Sequence, residues 1–257
     1  MILRRLASAV TEQNWFTVIL EVAIVVIGIY LGLQANEWSQ HREDRRAELV
    51  YLQRIATDFS SSIAETNQKK EFQTRHATHG ALVLQALRDC TLDTDKRDQF
   101  ASGIYLVGKH NPAALDRASL QELLSAGRLP IIQNSSLRQM LVEMLQDYDD
   151  HLFYMSDIQL RVAPHVNYID SVAPTIVDSA ISGGVDVTWD MLDADFEELC
   201  GDRRFFTAMA SSLNYTWDSI DSLISWSEDL TRAKLEVEEE LARLGGVKSN
   251  RTSRENE

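Results

Sequence analysis

Trp15 to Leu33 reads WFTVILEVAIVVIGIYLGL, nineteen residues in which Glu21 is the one charged side chain. At about 1.5 Å of rise per residue such a helix reaches roughly 30 Å, the thickness of a bilayer's hydrocarbon core. A core helix of a soluble domain keeps a polar face, and this run has none. Trp15 and Trp38 stand at its two ends, where an aromatic belt lies. The reading is a transmembrane helix over 15–36. A cleaved signal peptide fits worse: the apolar stretch is too long, carries a glutamate, and ends at Leu33-Gln34-Ala35, a poor small-x-small cleavage site.

Orientation is nearly balanced. Arg4, Arg5 and the α-amino group precede the span, and Arg42, Arg45 and Arg46 follow it. A long segment after a first span is translocated with little regard to its own charge. The expectation is therefore a cytoplasmic N-terminus and an exported C-terminal domain at a bacterial inner membrane.

Outside the span the composition is that of a globular protein, 44% hydrophobic and 25% charged, with 39 acidic against 25 basic residues and a net charge of -14. That charge, without a dense Lys/Arg stripe, excludes nucleic acid as a partner class. Eleven glycines and four prolines are few for an all-β chain, whose turns consume them.

Apolar residues recur at helical spacing almost throughout. Leu49, Leu52, Ala56, Phe59 and Ile63 continue from the span without Pro or Gly until Gly80, which predicts a stalk helix over 37–79. Leu82, Leu84 and Leu87 then lead to Cys90, and TLDTD offers caps for a helix from Lys96 to Val107. Asn111-Pro112 marks a turn. Ala118 to Gly127 reads as a short helix closed by that glycine, which suits the C′ position, and Pro130 follows. Asn134-Ser135 caps a stripe of Leu137, Leu141, Met144, Tyr148, His151, Met155 and Ile158, with Pro164 and Pro174 as expected breaks. Ile181–Trp189 alone has strand character and reads as a loop or one hairpin. A last helix spans Arg203 to Leu244, ended by Gly245-Gly246 and a polar tail. The fold class is all-α: tail 1–14, transmembrane helix 15–36, stalk 37–79, a bundle of roughly four or five helices over 80–246, and a disordered tail 247–257.

Two stretches carry a resemblance. Leu20-Glu21-Val22-Ala23-Ile24-Val25-Val26-Ile27-Gly28-Ile29, followed by Leu33-Gln34-Ala35-Asn36-Glu37-Trp38, resembles the opening of a family of bacterial single-span membrane proteins known only as a domain of unknown function. In that family a glutamate stands early in the span, and Gly32 here replaces the usual alanine. Leu123-Leu124-Ser125-Ala126-Gly127-Arg128-Leu129-Pro130-Ile131-Ile132 with Leu137-Arg138 is similar to the family's second motif. The resemblance covers about the first 140 residues. It implies a cytoplasmic N-terminus and brings no catalytic or ligand-binding residue.

The candidate sites follow from chemistry. Glu21 is costly in lipid unless protonated or paired. At 100° per residue, Gly28 and Gly32 lie about 20° to either side of it, with Val25 and Ala35 near the same line. Glu21, Val25, Gly28, Gly32 and Ala35 thus form a membrane helix packing face suited to self-association or to another membrane protein. A protonated glutamate bonded within its own helix is the plainer reading of the same residues, and an ion- or proton-conducting role is the third. Cys90 and Cys200 are the only cysteines. They read equally as a disulfide closed in an oxidising compartment or as two separate buried thiols.

Other groups are weaker. His76 and His79 with Glu71 and Gln73 lack the third and fourth ligands zinc needs. Asp147, Asp149, Asp150 and His151 lack the spacing of a calcium loop. His110 and His165 sit in expected turns without a nucleophile partner. No phosphate-cradling loop, Cys-x-x-Cys or nucleophile elbow is present. The sequence therefore predicts no catalytic residue, no cofactor and no metal. The expected partners are membrane lipid and other helices, and the expected function is that of an anchored interaction or scaffold protein, with sensing as one form of it. An accessory subunit using Glu21 in ion movement is the alternative, and an uncharacterised hydrolase the third.

Overall fold

The computed structural model describes residues 15–176 and 187–252. Residues 177–186, which take in most of the strand-like stretch Ile181–Trp189, and the terminal segments 1–14 and 253–257 lie outside the described residues. Six α-helices follow in order: α1 (Trp15–Asp89), α2 (Arg97–Leu106), α3 (Ala118–Ser125), α4 (Ser135–Val172), α5 (Phe196–Gly201) and α6 (Arg203–Thr252). Among the described residues the β structure is one isolated bridge, Thr175 to Leu192. The protein is an all-α helical bundle with a long apolar N-terminal helix.

The chain divides into two compact units, Met1–Val50 and Tyr51–Glu257. In the first, α1 is long and apolar enough to cross a membrane, and none of its apolar window is buried. Ile19, Val22, Ile24, Val26, Ile29 and Leu33 are all more than half exposed.

The second unit corrects the expected stalk. Residues 51–89 of α1 are a bundle helix, with Leu52, Ile55 and Phe59 fully buried. The seam runs through 52, 55, 59, 62 and 66, so Ala56 and Ile63 lie at its edge rather than in it. Gly80 does not break this helix. A Cβ there would lie 3.2 Å from Leu213 Cδ1, so glycine serves close packing against α6. Across the bundle, Gly103 of α2 rests on the His79 carbonyl, where a Cβ would lie 2.6 Å from the oxygen.

The predicted caps are realised in part. Asn134 accepts from the Ser136 and Leu137 amides at 3.1 and 3.2 Å. Arg128 N–H bonds to Leu123 carbonyl at 2.8 Å and Gly127 N–H to Leu124 carbonyl at 3.1 Å, with Gly127 at φ 64°. These two bonds are a Schellman motif. Asp93 makes no cap bond and pairs instead with Lys96 at 2.9 Å.

Three expected breaks behave differently. Pro164 lies inside α4 on an exposed face, where the Leu160 carbonyl it leaves without a donor can meet solvent. Pro174 ends that helix. Gly245 and Gly246 are crossed by α6, which takes in part of the tail expected to be disordered: glycine costs a helix only about 1 kcal/mol and stops it only where the backbone turns left-handed.

One apolar cluster closes the end of the bundle where α1 and α4 finish and α6 begins. Val83, Leu87, Phe100, Ile104, Ile169, Leu199, Phe205 and Met209 are its centre. At the opposite end, Asn134 before α4 donates to Glu240 near the end of α6 at 3.1 Å. In this unit α4 and α6 therefore run antiparallel along most of their length.

Candidate functional site

Between α2 and α3, residues 107–117 have no helix or strand, yet Val107, His110, Ala113, Ala114 and Leu115 are buried. Buried backbone must find hydrogen-bond partners, and here side chains of the long helices supply them. From α1, Gln73 Nε2 donates to Asn111 carbonyl at 3.0 Å, Thr66 Oγ1 accepts from Ala114 N–H at 3.1 Å, and Ser62 Oγ accepts from Asp116 N–H at 2.8 Å. The spacing follows from geometry. Seven helical residues from 66 to 73 rise about 10.5 Å, which three extended residues from 111 to 114 match at about 3.4 Å each. Polar residues stand at these seam positions of α1 because an extended segment with backbone groups to satisfy lies against them, and Gln73 Oε1 also accepts from Ser219 Oγ of α6 at 2.9 Å.

From the other helices, Ala113 N–H donates to His151 Nε2 at 3.0 Å and Trp226 Nε1 donates to Ala114 carbonyl at 3.0 Å. The rings of Tyr148, His151 and Trp226 are packed together, His151 on Trp226 at 5.8 Å between centroids. His151 Nδ1 lies 3.0 Å from Ser222 Oγ. Since Nε2 accepts, the proton sits on Nδ1 and is donated to Ser222. The imidazole therefore does not act as a base toward that hydroxyl. Its burial and then Lys69 hold its pKa below the ordinary histidine range.

Removing one of these partners isolates a buried amide. Thr66→Val is expected to cost about 1–3 kcal/mol, the penalty for an unsatisfied donor, whereas Thr66→Ser should cost less because the acceptor stays. Urea unfolding of the two variants checks this, and equal losses would assign the effect to packing.

Outside this junction a cleft of about 280 Å³ is lined by Asp147, Asp150, His151, Tyr154, Ser222, Trp226 and Asp229, together with Ser225. Asp147 is pushed up by burial, then by Asp229, Asp150 and Glu143. The predicted acidic cluster thus contributes Asp147 and Asp150 to one cleft, while Asp149 pairs with Arg117 at 3.1 Å. Nothing in the spacing of 147–151 announced the partners from α6, which lie about 75 residues on.

The other predicted residues are dispersed. Glu21, Val25, Gly28, Gly32 and Ala35 are exposed on α1, and a Cβ at either glycine would meet nothing within 4 Å. His76 packs on Phe72 at 4.1 Å and lies 6.1 Å from His79, whose Nδ1 is 3.3 Å from Ser102 Oγ. His165 lies within α4 and not in a turn. His110 is buried with neither ring nitrogen hydrogen-bonded, and burial drives its pKa down to about 4. Among the described residues no three His, Cys, Asp or Glu side chains are grouped to hold a metal ion. Cys90 and Cys200 come together at the end of the bundle where α1 stops and α5 lies.

No curated protein and no solved structure matches the chain. One family model does match, over residues 21–172, and its description is a family of unknown function, DUF6090. The match runs from the glutamate in the apolar helix to the last residue of α4, taking in the whole buried segment and both sequence motifs except Leu20. It spans more than half of the 257 residues. The chain therefore belongs to the DUF6090 family.

Proposed function

We propose that this protein is a membrane-anchored helical interaction protein, held in lipid by α1 and paired there with a second copy of itself. The observation that carries the reading is the exposure of Ile19 to Leu33: among the described residues nothing covers an apolar surface of this length. Water does not tolerate so large an uncovered patch, and a bilayer removes it. The N-terminus is cytoplasmic and the bundle exported in this reading, at the inner membrane of a bacterium.

In lipid, apolar side chains have no hydrophobic reason to associate, so close backbone approach and interhelical hydrogen bonds supply the attraction. Gly28 and Gly32 offer the first and a protonated Glu21 the second, on one line. Each such bond contributes only about 0.6–2 kcal/mol, so both features are needed.

The test is a membrane two-hybrid assay on the full chain, with fractionation beside it. The protein should stay with membranes under carbonate extraction, and a reporter active only after export, fused after Leu244, should be active. Gly28→Ile and Gly32→Ile should each reduce association strongly, Glu21→Leu moderately, Glu21→Gln little, and Ile24→Ala or Ile27→Ala not at all. Glycine variants as silent as the isoleucine ones would overturn pairing through this face. A Glu21→Gln variant that associates normally but loses a cellular phenotype would favour the second reading, ion or proton movement through Glu21.

A further inference from the structure

Cys90 is the one non-glycine residue among those described with a left-handed backbone, at φ 45°. It occupies the C′ position of α1, where Thr91 N–H reaches back to Ala86 carbonyl at 3.1 Å, the six-to-one bond of a Schellman motif. Glycine fills that position without strain, and a side chain there is held at a cost in backbone energy. Strain kept at a solvent-exposed position, when glycine would remove it, points to a use for the side chain itself.

The thiol is exposed. Cys200, on the last turn of α5, is half-buried beside it, and its own thiol is pushed up to about 12, first by burial and then by a hydrogen bond and charge interaction with Cys90. Leu87 precedes Cys90 and Leu199 precedes Cys200, and both are buried in the same apolar cluster, with Leu92 packed against it. The backbone on either side of the pair is thereby anchored.

We propose that Cys90 and Cys200 form a reversible disulfide, closed by a small disulfide oxidant of the glutathione class that first meets the exposed Cys90. The Cys90 thiolate attacks one sulfur of the oxidant, forming a mixed disulfide and releasing one thiolate. Cys200 then gives its proton to solvent, and its sulfur attacks the Cys90 sulfur and expels the second thiolate. Two protein thiols lose two protons and two electrons, and one oxidant molecule is reduced to two thiols. The bond ties the end of α1 to α5 and encloses α2, α3 and α4 in a loop of roughly 110 residues, for which the chain-entropy model gives an unfolding constant smaller by roughly three thousandfold. This inference rests on the fold of the second unit and is independent of the membrane reading.

The experiment equilibrates the full chain, in detergent, with oxidised and reduced glutathione, quenches with a maleimide, and reads intact mass and denaturant midpoint. Oxidised protein should carry no maleimide and no glutathione, with a higher midpoint that dithiothreitol reverses. Cys200→Ser should trap one glutathione on Cys90. Cys90→Gly should raise the midpoint of the reduced chain by relieving the backbone, and should abolish the response to oxidant. This variant keeps the helix cap, so it separates the thiol's role from folding. Two maleimides on oxidised wild-type protein, or a lasting glutathione adduct on wild-type Cys90, would each show that Cys200 cannot complete the exchange and would overturn the proposal.

Discussion

Gly103→Ala is expected to destabilise the bundle by about 3 kcal/mol, at the upper end of what overpacking costs a core. The methyl group would lie 2.6 Å from the His79 carbonyl oxygen and 2.7 Å from its carbon, and backbone inside a long helix cannot rotate away. Relief requires α2 to lift off α1, which uncovers Phe100 and Ile104, both essentially buried. Gly80→Ala is the control. Its methyl group would meet the end of the Leu213 side chain at 3.2 Å, which can turn aside, and alanine recovers about 1 kcal/mol of helix propensity. Urea unfolding should find the first variant far below wild type and the second within about 1 kcal/mol of it. Equal effects would mean that the two glycines are placed for the same reason, contrary to the contacts seen.

The second large effect is a dependence on acid. His110 is buried, its ring makes no hydrogen bond, and its pKa lies at about 4, below the ordinary value of 6.5. A histidine whose pKa falls on folding binds protons more readily when unfolded. Its neutral form is therefore no liability above about pH 6.5, and stability is lost as pH falls from there towards 4. The full shift is worth up to about 3 kcal/mol at 1.36 kcal/mol per pH unit. His151 shifts in the same direction and adds to the loss. His110→Leu removes the titration and sacrifices no ring hydrogen bond. Between pH 7.5 and 4.5 the wild-type unfolding free energy should fall about 2 kcal/mol further than that of His110→Leu. Parallel curves for the two proteins would remove His110 from the account.

How much of this was legible beforehand depends on the range over which each signal acts. Asn134, Gly127 and Pro174 are read correctly because caps and terminators work within one turn of chain. Gly80, Pro164 and Gly245 are misread for a complementary reason. A glycine at a helix crossing and a glycine at a helix end are the same letter, and only the partner, here Leu213, tells them apart. The apolar stripe places α1 in a helix but sets the seam about a sixth of a turn off. Ser62, Thr66 and Gln73 occupy seam positions, and a search for apolar periodicity passes over them. Their partners are one backbone carbonyl and two backbone N–H groups 38 to 54 residues away, for which no sequence pattern exists. The cysteines were readable as a candidate pair only by their number. The positive φ at Cys90, which distinguishes it from an ordinary exposed thiol, has no sequence signature at all.

The extended segment also sets an order of events for a chain made from its N-terminus. Its bonds to Gln73, Thr66 and Ser62 join residues no more than 54 apart, so they can form once α3 has emerged. His151, 38 residues beyond Ala113, comes next. Trp226, 112 residues beyond Ala114, comes last and lays its ring over Tyr148 and His151. Until α6 has been synthesised, the segment lies on α1 as an open-faced strip, with its polar bonds made and one side wet. The last helix is what turns that strip into an interior.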